Sequence, residues 1–98
     1  MMSQLPIDLT NVPKEQIDKE ILRVGIIAEL DAVNLYEQLA AKTTNEDIRK
    51  VLLDIAKEEK THVGEFQELL LRLDNEQLEE LGHAREEVDE LTGIKENQ

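Results

Sequence analysis

Along two long stretches of the chain, apolar residues recur at the three- and four-residue intervals that put side chains on one face of an α-helix. From Pro13 to about Lys42, Leu22, Ile26, Val33 and Ala40 share a face with Glu29 and Tyr36. From about Asn45 to Leu73, Ile48, Leu52, Ile55, Val63, Phe66 and Leu70 share a face with Glu59, and His62 lies on its flank. Pro13 suits a first helical turn, where its missing N–H costs no bond. The Thr43-Thr44-Asn45 segment interrupts the pattern, with Thr44 expected to cap the second helix and Asp47 at its third position. So short a connection makes the two helices antiparallel neighbours. Asp74 with Gln77 predicts the start of a third, shorter helix that ends near Thr92 and Gly93. The expected fold class is therefore all-α: an antiparallel helical hairpin plus a short C-terminal helix, dimerising into a four-helix bundle. Residues 1–12 read as a flexible N-terminal arm, 13–93 as one domain and 94–98 as a tail.

Glu29 and Glu59 interrupt otherwise apolar stripes. Reflected through Thr44, one lies 15 residues before the turn and the other 15 after it, so both reach the same depth of the hairpin. A carboxylate isolated in an apolar seam is costly and two together repel, so the pair calls for protonation or a cation. His62 stands three residues after Glu59, side by side with it on the helix. A Glu facing Glu-x-x-His is half of the ligand set of a di-iron carboxylate site in a helical bundle. Two hairpins about a twofold axis would bring together both copies of Glu29, Glu59 and His62 at the subunit interface.

Composition narrows the chemistry. The 98 residues carry 23 acidic and 11 basic side chains, a net charge of -12, which disfavours nucleic acid and anionic membranes and suits cations. No cysteine is present, so any metal site must use oxygen and nitrogen ligands. One Phe, one Tyr and no Trp leave little surface for stacking on bases or planar cofactors. No run approaches the roughly 20 apolar residues of a membrane span, and no basic-then-apolar leader opens the chain, so a cytoplasmic protein is expected. So small a domain also favours burying area against its own copy.

A second Glu-x-x-His, Glu80 and His83, falls off the apolar stripe of Leu78, Leu81, Val88 and Leu91 and is expected to face solvent. Reflection through Asp74 sets Glu65 level with His83, which leaves a weak surface cation site conceivable. The acidic density of 74–90 reads as a solvated face. Asp31 and Glu58, beside the proposed ligands, could pass ions inward, and Tyr36 is either a core aromatic or a member of the site.

AELDAVNLYEQ (28–38) and AKEEKTHVGEFQELLLRL (56–73), with DELTGI at 89–94, resemble the encapsulated ferritins, and most of all the archaeal branch in which this domain precedes an encapsulin shell protein. The resemblance implies a ferritin-like bundle, a decameric ring of dimers, a di-iron ferroxidase centre at each dimer interface, and residence inside an encapsulin nanocompartment in the cytoplasm. It carries the iron-ligand role onto Glu29, Glu59 and His62 and a supporting role onto Tyr36. Where the family has an acidic residue before the first ligand and an aromatic before the tyrosine, this chain has Ala28 and Leu35, leaving Asp31 for metal access. The expected activity is oxidation of Fe(II) to Fe(III) for mineral storage within the shell. A rubrerythrin-like peroxide reductase and a non-catalytic helical dimerisation module are the alternatives. The first would draw electrons from another molecule, since a chain without cysteine holds no rubredoxin-type centre.

Overall fold

A computed structural model of the chain describes residues 8–93; the first part of the expected arm and the tail after Gly93 lie outside them. A 3₁₀ turn at Lys14–Gln16 leads into three α-helices: α1 (Ile17–Lys42), α2 (Glu46–Leu73) and α3 (Asn75–Thr92). Helix α1 thus starts at Ile17 rather than at Pro13. The Gln16 amide donates to the Pro13 carbonyl at 2.8 Å, which tightens the first turn to the three-residue form common at helix ends.

Helices α1 and α2 form the antiparallel hairpin, and its turn is more heavily bonded than its sequence suggests. Asn45, not Thr44, is the N-cap of α2: its side-chain oxygen accepts from the amides of Asp47 at 2.9 Å and Ile48 at 3.1 Å. Asn caps better than Thr, and the Thr43 hydroxyl accepts the Asn45 amide at 3.1 Å and fixes the approach. Arg49, one turn into α2, reaches back to donate to the carbonyls of Ala40 at 3.1 Å and Thr43 at 2.6 Å, and it also pairs with Glu46. The end of α1 would otherwise leave such carbonyls without donors.

The seam between the two helices holds the buried side chains Leu22, Ala32, Val33, Ala40, Ala56 and Leu70. Ala40 and Ala56 are each only 2% exposed, so the helices approach closely where the side chains are small. Lys60 pairs with Glu37 across the hairpin at 3.0 Å.

Asp74 ends α2 and begins α3. Its own amide donates to the Leu70 carbonyl at 2.9 Å, and its carboxylate accepts from the Gln77 amide at 3.0 Å and from Arg23 of α1 at 3.1 Å. The Gln77 amide above all, and then the charges of Lys19 and Arg23, hold this carboxyl below its ordinary 3.8 against the opposing effect of burial. Beyond this clasp α3 leaves the hairpin. Leu81 and Gln77 line a crevice with Ile26, Gln67, Leu70 and Leu71, whereas Leu78, Val88 and Leu91 of the expected apolar stripe stay exposed. Gly93 closes α3 in the left-handed conformation, φ 70°, with its amide on the Asp89 carbonyl at 2.9 Å.

Two measurements check this account. Ala56→Leu should overpack the seam and lower unfolding free energy by about 1–3 kcal/mol, read by denaturant titration at fixed protein concentration. Because the folded-state pKa of Asp74 is depressed, its stabilisation is fully present above 3.8 and lost as pH falls through the folded value. The stability gap between the parent and Asp74→Asn, which keeps a cap but not the charge, should therefore be complete near neutral pH and close on acidification below 3.8.

Candidate metal centre

Glu29 comes from the middle of α1, Glu59 and His62 from the middle of α2, and the hairpin brings all three together. The imidazole Nδ1 of His62 lies 3.4 Å from Glu29 Oε2 and 3.4 Å from Glu59 Oε2. One ligand atom from each residue lies within 4.8 Å of the others, and among the described residues no other group of three or more His, Cys, Asp or Glu converges in this way. The carboxylate side chains are 22% and 19% exposed and the imidazole 46%, so the acids sit inside the seam and the histidine forms its outer edge.

These residues fit a metal ion. Glu29 Oε2 is fully buried and accepts no hydrogen bond, a costly state for a carboxylate oxygen that no protein donor relieves. Ligand atoms each about 2.1 Å from an ion sit roughly 3.0–3.4 Å apart at octahedral or tetrahedral angles. Both histidine–carboxylate separations match that spacing, and both exceed an ordinary hydrogen bond. Two oxygens and one nitrogen suit iron, manganese or zinc.

The side-chain contacts across the hairpin are offset from a strict reflection through Thr44. Gly25 faces Phe66 and Glu29 faces His62, two pairs that both nest about the midpoint between Asn45 and Glu46. Helix α1 ends at Lys42 and α2 begins at Glu46, symmetrically about Thr44, so these offsets reflect where the side chains reach rather than a displaced turn.

Tyr36 is half-buried on the same face of α1, two turns or about 10 Å further along the axis. Asp31 is half-buried but points about 160° away from Glu29 around α1, outside the cluster. Glu58 is exposed beside Glu59 and is also outside it. Glu80 and His83 face solvent as expected, 2.7 Å apart. The hydrogen bond to Glu80, and after it that residue's charge, raises the His83 pKa above 6.5.

The cluster opens on the face of the hairpin to which His62 is displaced. Ile21 and Leu39 of α1 and Val51 and Leu69 of α2 all lie about 80° from the seam centre on that side, and all are exposed. Asp18, Ile21, Leu22, Leu69, Arg72 and Leu73 line an open crevice there. The clasp of α3, through Arg23 and Leu81, falls on the opposite face. Two features of this region are not evident from the stripes alone. Arg23 reads as an ordinary exposed cation, and Gly25 carries only the signal that a glycine stands in mid-helix, where it is disfavoured.

The family model described as Rubrerythrin matches residues 20–96. The chain is 62% identical over 82 residues to a ferritin-like–encapsulin shell fusion protein of Pyrococcus furiosus, which covers 84% of this chain and 24% of that protein. It is 42% identical over 81 residues to an encapsulin nanocompartment cargo protein of Myxococcus xanthus, covering 80% of this chain and 60% of that one. The crystal structure of the encapsulated ferritin domain from Pyrococcus furiosus superposes with a TM-score of 0.83 at 53% identity, covering 98% of this chain and all of that one.

If the cluster holds a cation, metal should stabilise the fold by mass action. At a free concentration about 100 times the dissociation constant, Mn(II) or Zn(II) should raise the parent's unfolding free energy by about 2.7 kcal/mol. Glu29→Gln should lose that increment while being no less stable than the parent without metal, since it removes one of two like charges crowded in the seam. Equal metal-induced shifts in both proteins would remove Glu29 from the site.

Proposed function

Because this chain belongs to the rubrerythrin family, and within it to the encapsulated ferritins, we propose that it is a ferroxidase, oxidising Fe(II) to Fe(III) at a di-iron site built across a subunit interface. The observation that carries this reading is the convergence of Glu29, Glu59 and His62 around a buried carboxylate oxygen with no donor. One hairpin offers two carboxylates and one imidazole, too few for two ions, and the cluster lies beside an exposed apolar face. A second protomer packed there about a twofold axis doubles the set to four carboxylates and two imidazoles.

Glu29, Glu59 and His62 would hold the ions, Glu59 as the ligand shared between them and Glu29 and His62 as terminal ligands. Tyr36, on the Glu29 face, supports the site from two turns away, and Asp31 with the net charge of -12 favours cation approach. Iron supplies the redox chemistry, passing electrons to dioxygen or peroxide. The chain's own residues hold the ions, and the Leu22, Val33 and Leu70 seam limits water on the inner side. No storage cavity exists inside a helical hairpin, so the mineral must collect elsewhere. The relatives' shell fusion and cargo names support residence in an encapsulin nanocompartment in the cytoplasm; the decameric ring of protomers is what the family resemblance implies. No helix among the described residues is long and apolar enough to cross a membrane.

The test is aerobic Fe(II) oxidation alongside sizing chromatography. The parent should oxidise Fe(II) and shift toward larger species when iron is added, and Glu59→Ala with His62→Ala should do neither. Oxidation by the double variant at the parent rate would remove the ferroxidase assignment. Oxidation by the parent that proceeds only with peroxide and a reductant, and not with dioxygen, would favour a peroxide reductase. Iron-independent assembly without oxidation would leave a helical dimerisation module.

A further inference from the structure

We propose that Phe66 and Gly25 act as a spacer that sets the separation of α1 and α2 at the metal centre, and so the fit of the Glu29, Glu59 and His62 ligands to their ion. The proposal rests on the metal-centre reading above. A Cβ at Gly25 would lie 3.1 Å from two adjacent carbons of the Phe66 ring and 3.2 Å from the next, closer than ordinary van der Waals contact. The ring therefore rests against the α1 backbone itself, in space that a side chain at position 25 would crowd. Gly64 and Gly82, also within helices, have nothing within 4 Å of the same point.

The placement is what matters. Gly25 precedes Glu29 by four residues and Phe66 follows His62 by four, so the contact lies one helical turn, about 6 Å, from the level where Glu29 meets His62. Side chains one turn apart share a face, so the ring fills the layer directly beside the ligands. Two stiff helices in contact at one level have little freedom to change their spacing at the next. An added methyl at Gly25 would have to move the ring by a few tenths of an ångström. Metal–ligand distances tolerate deviations of only about 0.2 Å, so a displacement of that size changes coordination and leaves the fold intact. Phe66 and Gly25 touch no ion; they are positioning residues.

Co(II) is the probe, because its visible absorption reports coordination geometry independently of turnover. Four proteins are compared for Co(II) affinity, absorption spectrum and metal-free helicity: the parent, Gly25→Ala, Phe66→Leu, and both changes together. Gly25→Ala should bind Co(II) about tenfold or more weakly, with an altered spectrum and parent-like metal-free helicity. Phe66→Leu should also alter the spectrum, and the double variant, with a methyl added where the ring was trimmed, should return toward the parent in both affinity and spectrum. Parent-like binding by both folded single variants would overturn the proposal, as would additive losses in the double variant. If Gly25→Ala alone fails to fold, Phe66→Leu with and without Gly25→Ala decides it, and restoration is again required. A parent that binds no Co(II), or binds it equally well after Glu59→Ala with His62→Ala, removes the metal centre itself, and the spacer falls with it.

Discussion

Two carboxylates held inside an apolar seam between rigid helices set the terms for the rest of this structure. The ligand atoms of the cluster lie within 4.8 Å of one another. Like charges at that separation repel by about 3 kcal/mol at the effective dielectric of about 20 that suits protein sites, less where water reaches the His62 edge. The hairpin meets this cost with a turn bonded at Thr43, Asn45 and Arg49, and with a run of apolar and small side chains on either side of the polar layer. One polar layer in a long seam is tolerable because helix register is fixed elsewhere. Stability is thus spent where chemistry needs it, a common feature of functional sites.

The faces of the hairpin divide the labour. On one, Arg23 and Asp74 clasp the start of α3, and Leu81 enters the crevice by Ile26 and Leu71. On the other, His62 is flanked along the helices by exposed Ile21, Leu39, Val51 and Leu69. Asp74 performs three tasks at once: it ends α2, caps α3 and pairs with α1. A single buried carboxylate can do so because the Gln77 amide and the Arg23 guanidinium supply donors in place of water.

Most of the fold and the convergence of Glu29, Glu59 and His62 were legible because helical phase is a strong signal. Glu29 and Glu59 break stripes whose other members are apolar, and the short turn left one way to bring the stripes together. The departures have local causes. Asn45 displaced Thr44 as the cap because its side chain reaches two amides. The expected stripe of α3 is exposed at Leu78, Val88 and Leu91, since amphipathicity shows that a face is apolar and not what will cover it. The Arg23–Asp74 clasp and the Gly25–Phe66 contact were not legible. Both depend on the azimuth of one helix against another, which periodicity within each helix does not contain.

Two deficits of the single chain coincide in space, and the coincidence is informative. The ligand set lacks the donors to complete a pair of ions, and the adjoining surface lacks a cover for its apolar side chains. Either alone has ordinary explanations: incomplete ligand sets are filled by water, and isolated exposed leucines are common. Together on one face, and away from the face that α3 occupies, they have one economical solution in a second copy of the same face. Under that arrangement metal binding and association are thermodynamically linked, because each ion would favour the associated state by its difference in affinity for the two states. The Glu29 oxygen, without a hydrogen bond in the lone hairpin, would then favour the associated state to the extent that an ion there is held more tightly in the pair.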